Sequence, residues 1–187
     1  VGAGGKTRKE ELEMVRLLVQ KYPNIVGVQM DNSSRETFGG AWADVLTPQE
    51  MDCIQSQLNV GKRNLGLWVT LYRDDLRYDL SAHLSKVDVV TFWTSGKDIE
   101  RLEEGFEKCE QAICTARKML GCSIWDYIDQ KPLPVSLMQK DCNLGLEWLR
   151  SGRIDGMLFL AGVICDLNLE TVEWTMNWIW KVGDARI

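Results

Sequence analysis

The chain has 187 residues, a net charge of −5 and a pI near 5.0, a balance that disfavours a nucleic-acid partner, which would call for a basic face. At 45% hydrophobic and 26% charged residues it has the composition of one globular domain, residues 1–187, with enough length to bury a core. No apolar run approaches the ~18–20 residues a membrane span needs, so no membrane partner is expected.

Six cysteines occur without a Cys-x-x-Cys pair and read as buried free thiols, a weak pointer to the cytoplasm. His83 is the single histidine, which argues against a mixed Cys/His zinc site, so neither a metal nor another cofactor is expected. No signal peptide is visible from Val1 onward; secretion would require a segment before Val1.

In chain order, residues 8–22 put Leu12, Val15, Val19 and Tyr22 on one helical face after a Thr7-x-x-Glu10 capping signal, and Pro23 stops the helix. A strand over 25–30 ends in Asp31-Asn32. The polar stretch from Ser33 to Leu46 reads as an active-site loop rather than a tight connection. Thr47-Pro48-Gln49-Glu50 is a capping box with proline at the first helical position, predicting a helix to about Asn59. The second strand, Leu67–Leu71, ends in Tyr72-Arg73-Asp74-Asp75. His83 falls in a short helix and reads as a surface or structural residue.

The third strand, Val89–Phe92, ends in Trp93-Thr94-Ser95. Ile99, Leu102, Phe106, Cys109, Ile113 and Ala116 then recur in steps of three and four, predicting an amphipathic helix that stops before Gly121. The fourth strand, Cys122–Trp125, ends in Asp126-Tyr127. Pro132 and Pro134 open a helix with Val135, Met138, Cys142, Leu146 and Leu149 inward. A fifth strand, Met157–Ala161, follows the Asp155-Gly156 turn. The last helix begins near Asn168 and buries Leu169, Val172, Met176 and Ile179, with Trp174, Trp178 and Trp180 as packing residues.

Parallel strands joined by crossover helices gather their carboxyl ends on one rim, where ligands of α/β sheets and barrels bind. Val28, Met30, Val69, Leu71, Val90, Phe92, Cys122 and Ile124 form a wholly apolar set of alternate positions. The opposite set, Gln29, Asp31, Thr70, Tyr72, Thr91, Trp93, Ser123 and Trp125, is polar and aromatic. A doubly wound sheet would be apolar on both faces, whereas a barrel lumen tolerates polar side chains. The expected fold is therefore a parallel α/β barrel of TIM type, with about five βα units present and two or three N-terminal strands outside the chain. The alternative is an open five-stranded parallel α/β sheet. A truncated chain would expose strand edges and favour a homo-oligomer.

Asp31 and Asp126 are the candidate catalytic pair, since two carboxylates on one aromatic-flanked rim suit glycoside hydrolysis. Asn32, Tyr72, Trp93, Trp125 and Tyr127 are the candidate sugar contacts, their rings stacking on the apolar faces of a carbohydrate ligand. Asp74, Asp75 and Asp166 are weaker carboxylate candidates. For Asp31 and Asp126 the competing roles are turn and helix capping. Gly2-Ala-Gly-Gly5-Lys6-Thr7 offers a third reading, a phosphate loop of an NTPase, but it lacks the first glycine of that pattern and the strand before it.

Four stretches carry a resemblance: Asn24-Ile-Val-Gly-Val-Gln-Met-Asp31, Val87-Asp-Val-Val-Thr-Phe-Trp93, Gly121-Cys-Ser-Ile-Trp-Asp-Tyr127 and Gly152-Arg-Ile-Asp-Gly156. From residue 23 onward the chain resembles a group of largely uncharacterised bacterial proteins with a glycoside-hydrolase-like (β/α) barrel. The group has two consecutive aspartates followed by aromatics where this chain has Asp31-Asn32-Ser33-Ser34, which removes one carboxylate. The resemblance implies a carbohydrate-active barrel; a non-catalytic glycan-binding barrel, or a fragment completed by a further segment or a second copy, is the alternative.

Overall fold

A computed structural model of the chain describes residues 8–30, 46–94, 96–160 and 162–183. Five strands form one parallel sheet: β1 (Gly27–Met30), β4 (Gly66–Tyr72), β5 (Val89–Trp93), β6 (Arg117–Ser123) and β9 (Gly156–Leu160), neighbours in that order. Each strand is laid beside its predecessor in the chain, with no reversal. Parallel crossovers are right-handed, so a succession of this kind carries its helices on one face of the sheet.

The chain divides into two compact units, one holding the described residues up to Val90 with Glu110–Arg117, the other Thr91–Cys109 with the residues from Lys118 onward. Strand β5 passes from the first into the second.

The first unit begins with helix α1 (Arg8–Lys21). Val19 is buried and Leu12 and Val15 are half-buried, but Tyr22 is 43% exposed, so it lies outside the expected inward face. Helix α2 (Pro48–Gln57) starts on the expected capping box: Thr47 Oγ1 accepts the Glu50 amide at 3.2 Å, and Glu50 Oε2 accepts the Thr47 amide at 2.8 Å. Such a cap contributes about 1 kcal/mol and fixes the entry of the helix. A small ribbon follows, β2 (Asn59–Val60) against β3 (Arg63–Asn64), turning at Gly61 with φ of 63°. From that ribbon the Arg63 guanidinium donates to the carbonyls of Val19 at 3.0 Å, Pro23 at 2.8 Å and Ile25, tying the end of α1 to the approach of β1. Strands β1 and β4 pair from Gly27↔Gly66 to Met30↔Val69. Leu67, Val69 and Leu71 are fully buried, and on the alternate positions Gln29 Nε2 donates to Thr70 Oγ1 at 2.9 Å. A one-turn helix α3 (Ser81–Leu84) leads to β5.

Helix α4 (Leu102–Ala112), which starts in the second unit, ends well before Gly121, and β6 already begins at Arg117. The helical spacing of Ile113 and Ala116 does not decide this stretch, because backbone pairing does. The Lys118 amide donates to Asp155 Oδ2 at 2.8 Å, the Asp155 amide donates to Lys118 O at 2.7 Å, and the ladder to β9 runs from Met119↔Gly156 to Ser123↔Leu160. The expected strand over Cys122–Trp125 is corrected accordingly. Trp125 leaves the sheet and forms β7 (Trp125–Asp126), antiparallel to β8 (Lys131–Pro132), so Pro132 belongs to a ribbon. Helix α5 (Val135–Arg150) starts after Pro134.

Three helices cover one face of the second unit's strands. Phe92 meets Phe106 of α4 edge-on at 5.8 Å, Phe106 stacks on Trp148 of α5 at 4.5 Å, and Phe159 meets Trp178 of α6 (Glu170–Val182) at 6.1 Å. Arg153 lies 4.5 Å from the centroid of Trp148. Thr91, Trp93, Gly121 and Ser123 take the alternate, polar positions, all buried. On α6 the expected burial holds for Val172, whereas Met176 is 46% and Trp180 77% exposed and neither packs inward. Trp174 and Trp178 stack on each other at 6.4 Å. No helix among the described residues is long and apolar enough to cross a membrane.

Candidate functional site

Asp31 and Asn32 lie outside the described residues, as do the Ser33-to-Val45 part of the expected active-site loop, the opening Gly2-to-Thr7 segment and Ser95. The remaining site residues fall into separate settings in the two units.

In the second unit, Trp93 closes β5 and Thr94 follows it with Gly96 just beyond, Trp125, Asp126 and Tyr127 follow β6, and the contact between the two strand ends is that of Asp126 with Gly96. Trp93 is only 8% exposed; its Nε1 donates to Thr91 Oγ1 at 3.0 Å and its ring covers Gly121. A ring so enclosed is a wall of the site and offers no face to a sugar, a correction to its expected role as a platform. Trp125 is half-buried and Tyr127 is 55% exposed, so these two retain accessible ring surface.

Asp126 is 5% exposed, and its Oδ1 accepts the amides of Ile128 at 3.0 Å and Asp129 at 3.1 Å. This is an Asx turn that shapes the β7–β8 ribbon. Its Oδ2 lies beside Gly96, where an added Cβ would stand 2.3 Å away. Oδ1 is thus committed to the backbone, and Oδ2 is the oxygen left for other chemistry. On the ribbon, Lys131 Nζ pairs with Asp129 Oδ2 at 2.6 Å, which holds the Asp129 carboxyl below and the Lys131 ammonium above their ordinary ranges. Thr94, directly after β5, is 4% exposed, and its hydroxyl has no hydrogen-bond partner among the described residues.

In the first unit, Tyr72 ends β4 half-buried, and its amide donates to Asp75 Oδ2 at 2.7 Å. Asp75 is 3% exposed and caps the 3₁₀ turn Arg73–Arg77, which is a structural duty. Asp74 and, in the second unit, Asp166 are exposed on 3₁₀ turns. His83 Nε2 lies 2.9 Å from the Leu46 carbonyl, in keeping with a structural histidine.

The first unit also contains a cleft of about 340 Å³ at the amino ends of the strands, lined by Val26, Asn64, Gly66, Trp68, Asp88 and Arg117, with Leu65 at its base. Trp68 is not among the expected site residues. Its indole crosses Gly27 and Gly66, where added Cβ atoms would come within 2.6 and 2.9 Å of Nε1. The signal that points to it is the register of β1 and β4, which sets Trp68 on the same face as Gln29 and Thr70, flanked by two residues without side chains.

Behind the sheet, α5 presents Asp141 to the core at 0% exposure, with no good hydrogen-bond partner for either oxygen. Burial pushes its pKa up to about 7, and only the Cys122 thiol draws it back. Cys122 is itself fully buried, and the neighbouring Cys142 and Asp141 together with burial push its thiol well above the ordinary range. Among the described residues no group of three or more His, Cys, Asp or Glu side chains is placed to hold a metal ion. No family model matches the chain, and no curated protein matches it.

Proposed function

We propose that this chain is a glycan-binding domain of the glycoside-hydrolase-like (β/α)-barrel kind, taking sugar at the carboxyl ends of its strands. The barrel form of the reading is supported by the strand order, which follows the chain without the reversal that defines a doubly wound sheet. The observation that carries the ligand reading is the rim of β5 and β6. Trp125 and Tyr127 keep accessible ring surface on either side of Asp126 in the chain, and Asp126 Oδ2 enters no hydrogen bond among the described residues and is an acceptor for a sugar hydroxyl.

In the enzymatic form of this proposal Asp31 and Asp126 are the carboxylate pair, with Asn32 and Tyr72 contacting substrate. The two amides held by Asp126 Oδ1 favour the non-catalytic form, because a carboxylate spent on its own turn is a poor mobile acid or nucleophile. A neutral-oligosaccharide panel read by intrinsic tryptophan fluorescence tests binding. Trp125→Ala and Tyr127→Ala are expected to weaken a responding glycan at least fivefold. No response to any glycan together with quenching by a nucleotide would move the assignment to the phosphate-loop reading. For catalysis, Asp31→Asn and Asp126→Asn should each abolish cleavage while glycan binding persists; cleavage that survives Asp126→Asn excludes the pair.

A further inference from the structure

The cleft at the amino ends of the strands has a chemistry of its own, and all its lining belongs to the first unit. Val26 precedes β1, Gly66 opens β4, Asp88 precedes β5 and Arg117 opens β6, so the backbone fixes its walls. The Leu67 amide donates to Asp88 Oδ2 at 2.7 Å, the Asp88 amide donates to Leu67 O at 2.9 Å, and the Arg117 amide donates to Asp88 O at 3.0 Å. Gln55 Nε2 adds a bond to the same Oδ2 at 3.4 Å. These bonds hold the Asp88 carboxylate still and engage one of its two oxygens. The volume, about 340 Å³, lies at the lower end of the roughly 300–1,000 Å³ typical of small-molecule sites.

Its functional groups are few and complementary. The Arg117 guanidinium and the Asn64 amide enter no hydrogen bond or ion pair with the described residues, Asp88 keeps Oδ1 as an acceptor, and Trp68 contributes a half-buried indole. An exposed arginine in an acidic chain has every opportunity to pair with a carboxylate, and among the described residues this one does not. A guanidinium presents its donors in a planar fork that fits a carboxylate bidentately. Asp88 and Asn64 supply an acceptor and an amide for hydroxyl groups, and an indole covers the apolar face of a saturated ring.

We propose that this cleft is a binding site for a carboxylate-bearing sugar, a hexuronate unit. Its carboxylate lies on Arg117, its hydroxyls on Asp88 Oδ1 and Asn64, and its ring against Trp68. The site is at the opposite strand ends from the rim assigned above and does not rest on that assignment. The feature shared with other ligands is a carboxylate joined to a flat-faced ring, so an aromatic acid is the competing source of the same chemistry.

The test is calorimetric titration of the whole chain with glucuronate, glucose, acetate and phenylacetate, with Trp68 fluorescence as a second readout. Glucuronate should bind at least tenfold more tightly than glucose, and acetate should not register. Arg117→Gln should reduce the glucuronate affinity to that of glucose while leaving thermal unfolding unchanged. Trp68→Phe, which keeps a ring over Gly27 and Gly66, should weaken both sugars and remove the fluorescence response. Equal affinity for glucose and glucuronate, or full binding in Arg117→Gln, overturns the proposal, and phenylacetate binding without glucuronate overturns its sugar part. Loss of glucuronate binding in Trp125→Ala but not in Arg117→Gln would place the ligand on the rim and overturn the cleft. Glucuronate binding lost only in Arg117→Gln supports the cleft even where the rim binds no neutral glycan.

Discussion

The indole of Trp93 occupies the space that a side chain at position 121 would need: a Cβ built on Gly121 falls 2.1–2.4 Å from three ring atoms of Trp93. The glycine between Leu120 and Cys122 therefore exists for the tryptophan beside it, and the tryptophan is in turn fixed by its bond to Thr91. The rim of the second unit rests on this pair.

Gly121→Ala is expected to destabilise the protein by about 1–3 kcal/mol or more, the cost of overpacking a filled site. Chemical denaturation measures it. A double variant with Trp93→Leu should recover part of the loss, because the smaller side chain vacates the contested space. Additive losses in the double variant would show that the two positions do not compete.

Asp141 sets a pH dependence. Its carboxyl is raised from 3.8 to about 7 by burial, so the folded state keeps a proton that the unfolded chain releases. The contribution of Asp141 to stability is then greatest below about pH 4, falls as pH rises from about 4 to 7, and levels off above that. At about 1.36 kcal/mol per pH unit, the gap corresponds to about 4 kcal/mol. Asp141→Asn, which keeps the shape and removes the charge, should raise the urea midpoint at pH 8 far more than at pH 4. An equal gain at both values would show that Asp141 ionises freely in the fold.

Arg63 holds three backbone carbonyls at the end of α1 and the start of β1. Arg63→Ala leaves these without a donor and should cost about 1–3 kcal/mol, with faster amide exchange confined to α1 and the approach to β1. Arg63→Lys should rescue only part, since an ammonium lacks the planar fork that spans three acceptors. Unchanged exchange in α1 would remove the arginine from this role.

Asp126 gives a turn test for the rim. Asp126→Asn keeps an oxygen to accept the Ile128 and Asp129 amides and should leave stability within about 1 kcal/mol, whereas Asp126→Ala strands both amides and should cost about 1–3 kcal/mol. Equal stability of the two variants, read by thermal unfolding, would show that the ribbon does not depend on this carboxylate.

Much of the architecture is local and legible along the chain. The capping box at Thr47 and Glu50, the apolar alternation of Leu67, Val69 and Leu71, and the helical spacing of Leu102, Phe106 and Cys109 each state their element, because caps and periodicity act over a few residues. The polar and aromatic alternate face is equally readable, and Thr91, Trp93 and Ser123 lie on it as expected. Tertiary pairing decided the rest. Residues 113–119 have helical spacing yet the strand from Arg117 wins, since partners in Asp88, Asp155 and β9 supply more backbone hydrogen bonds than one further helical turn. Whether an aromatic ring is platform or wall is likewise invisible in sequence: Trp93 is enclosed because Gly121 lies beside it, and Trp68 lines a cleft because Gly27 and Gly66 leave room for its indole. Alternation along a strand assigns each side chain its face; only the packing of neighbouring strands sets how much of it remains for a ligand.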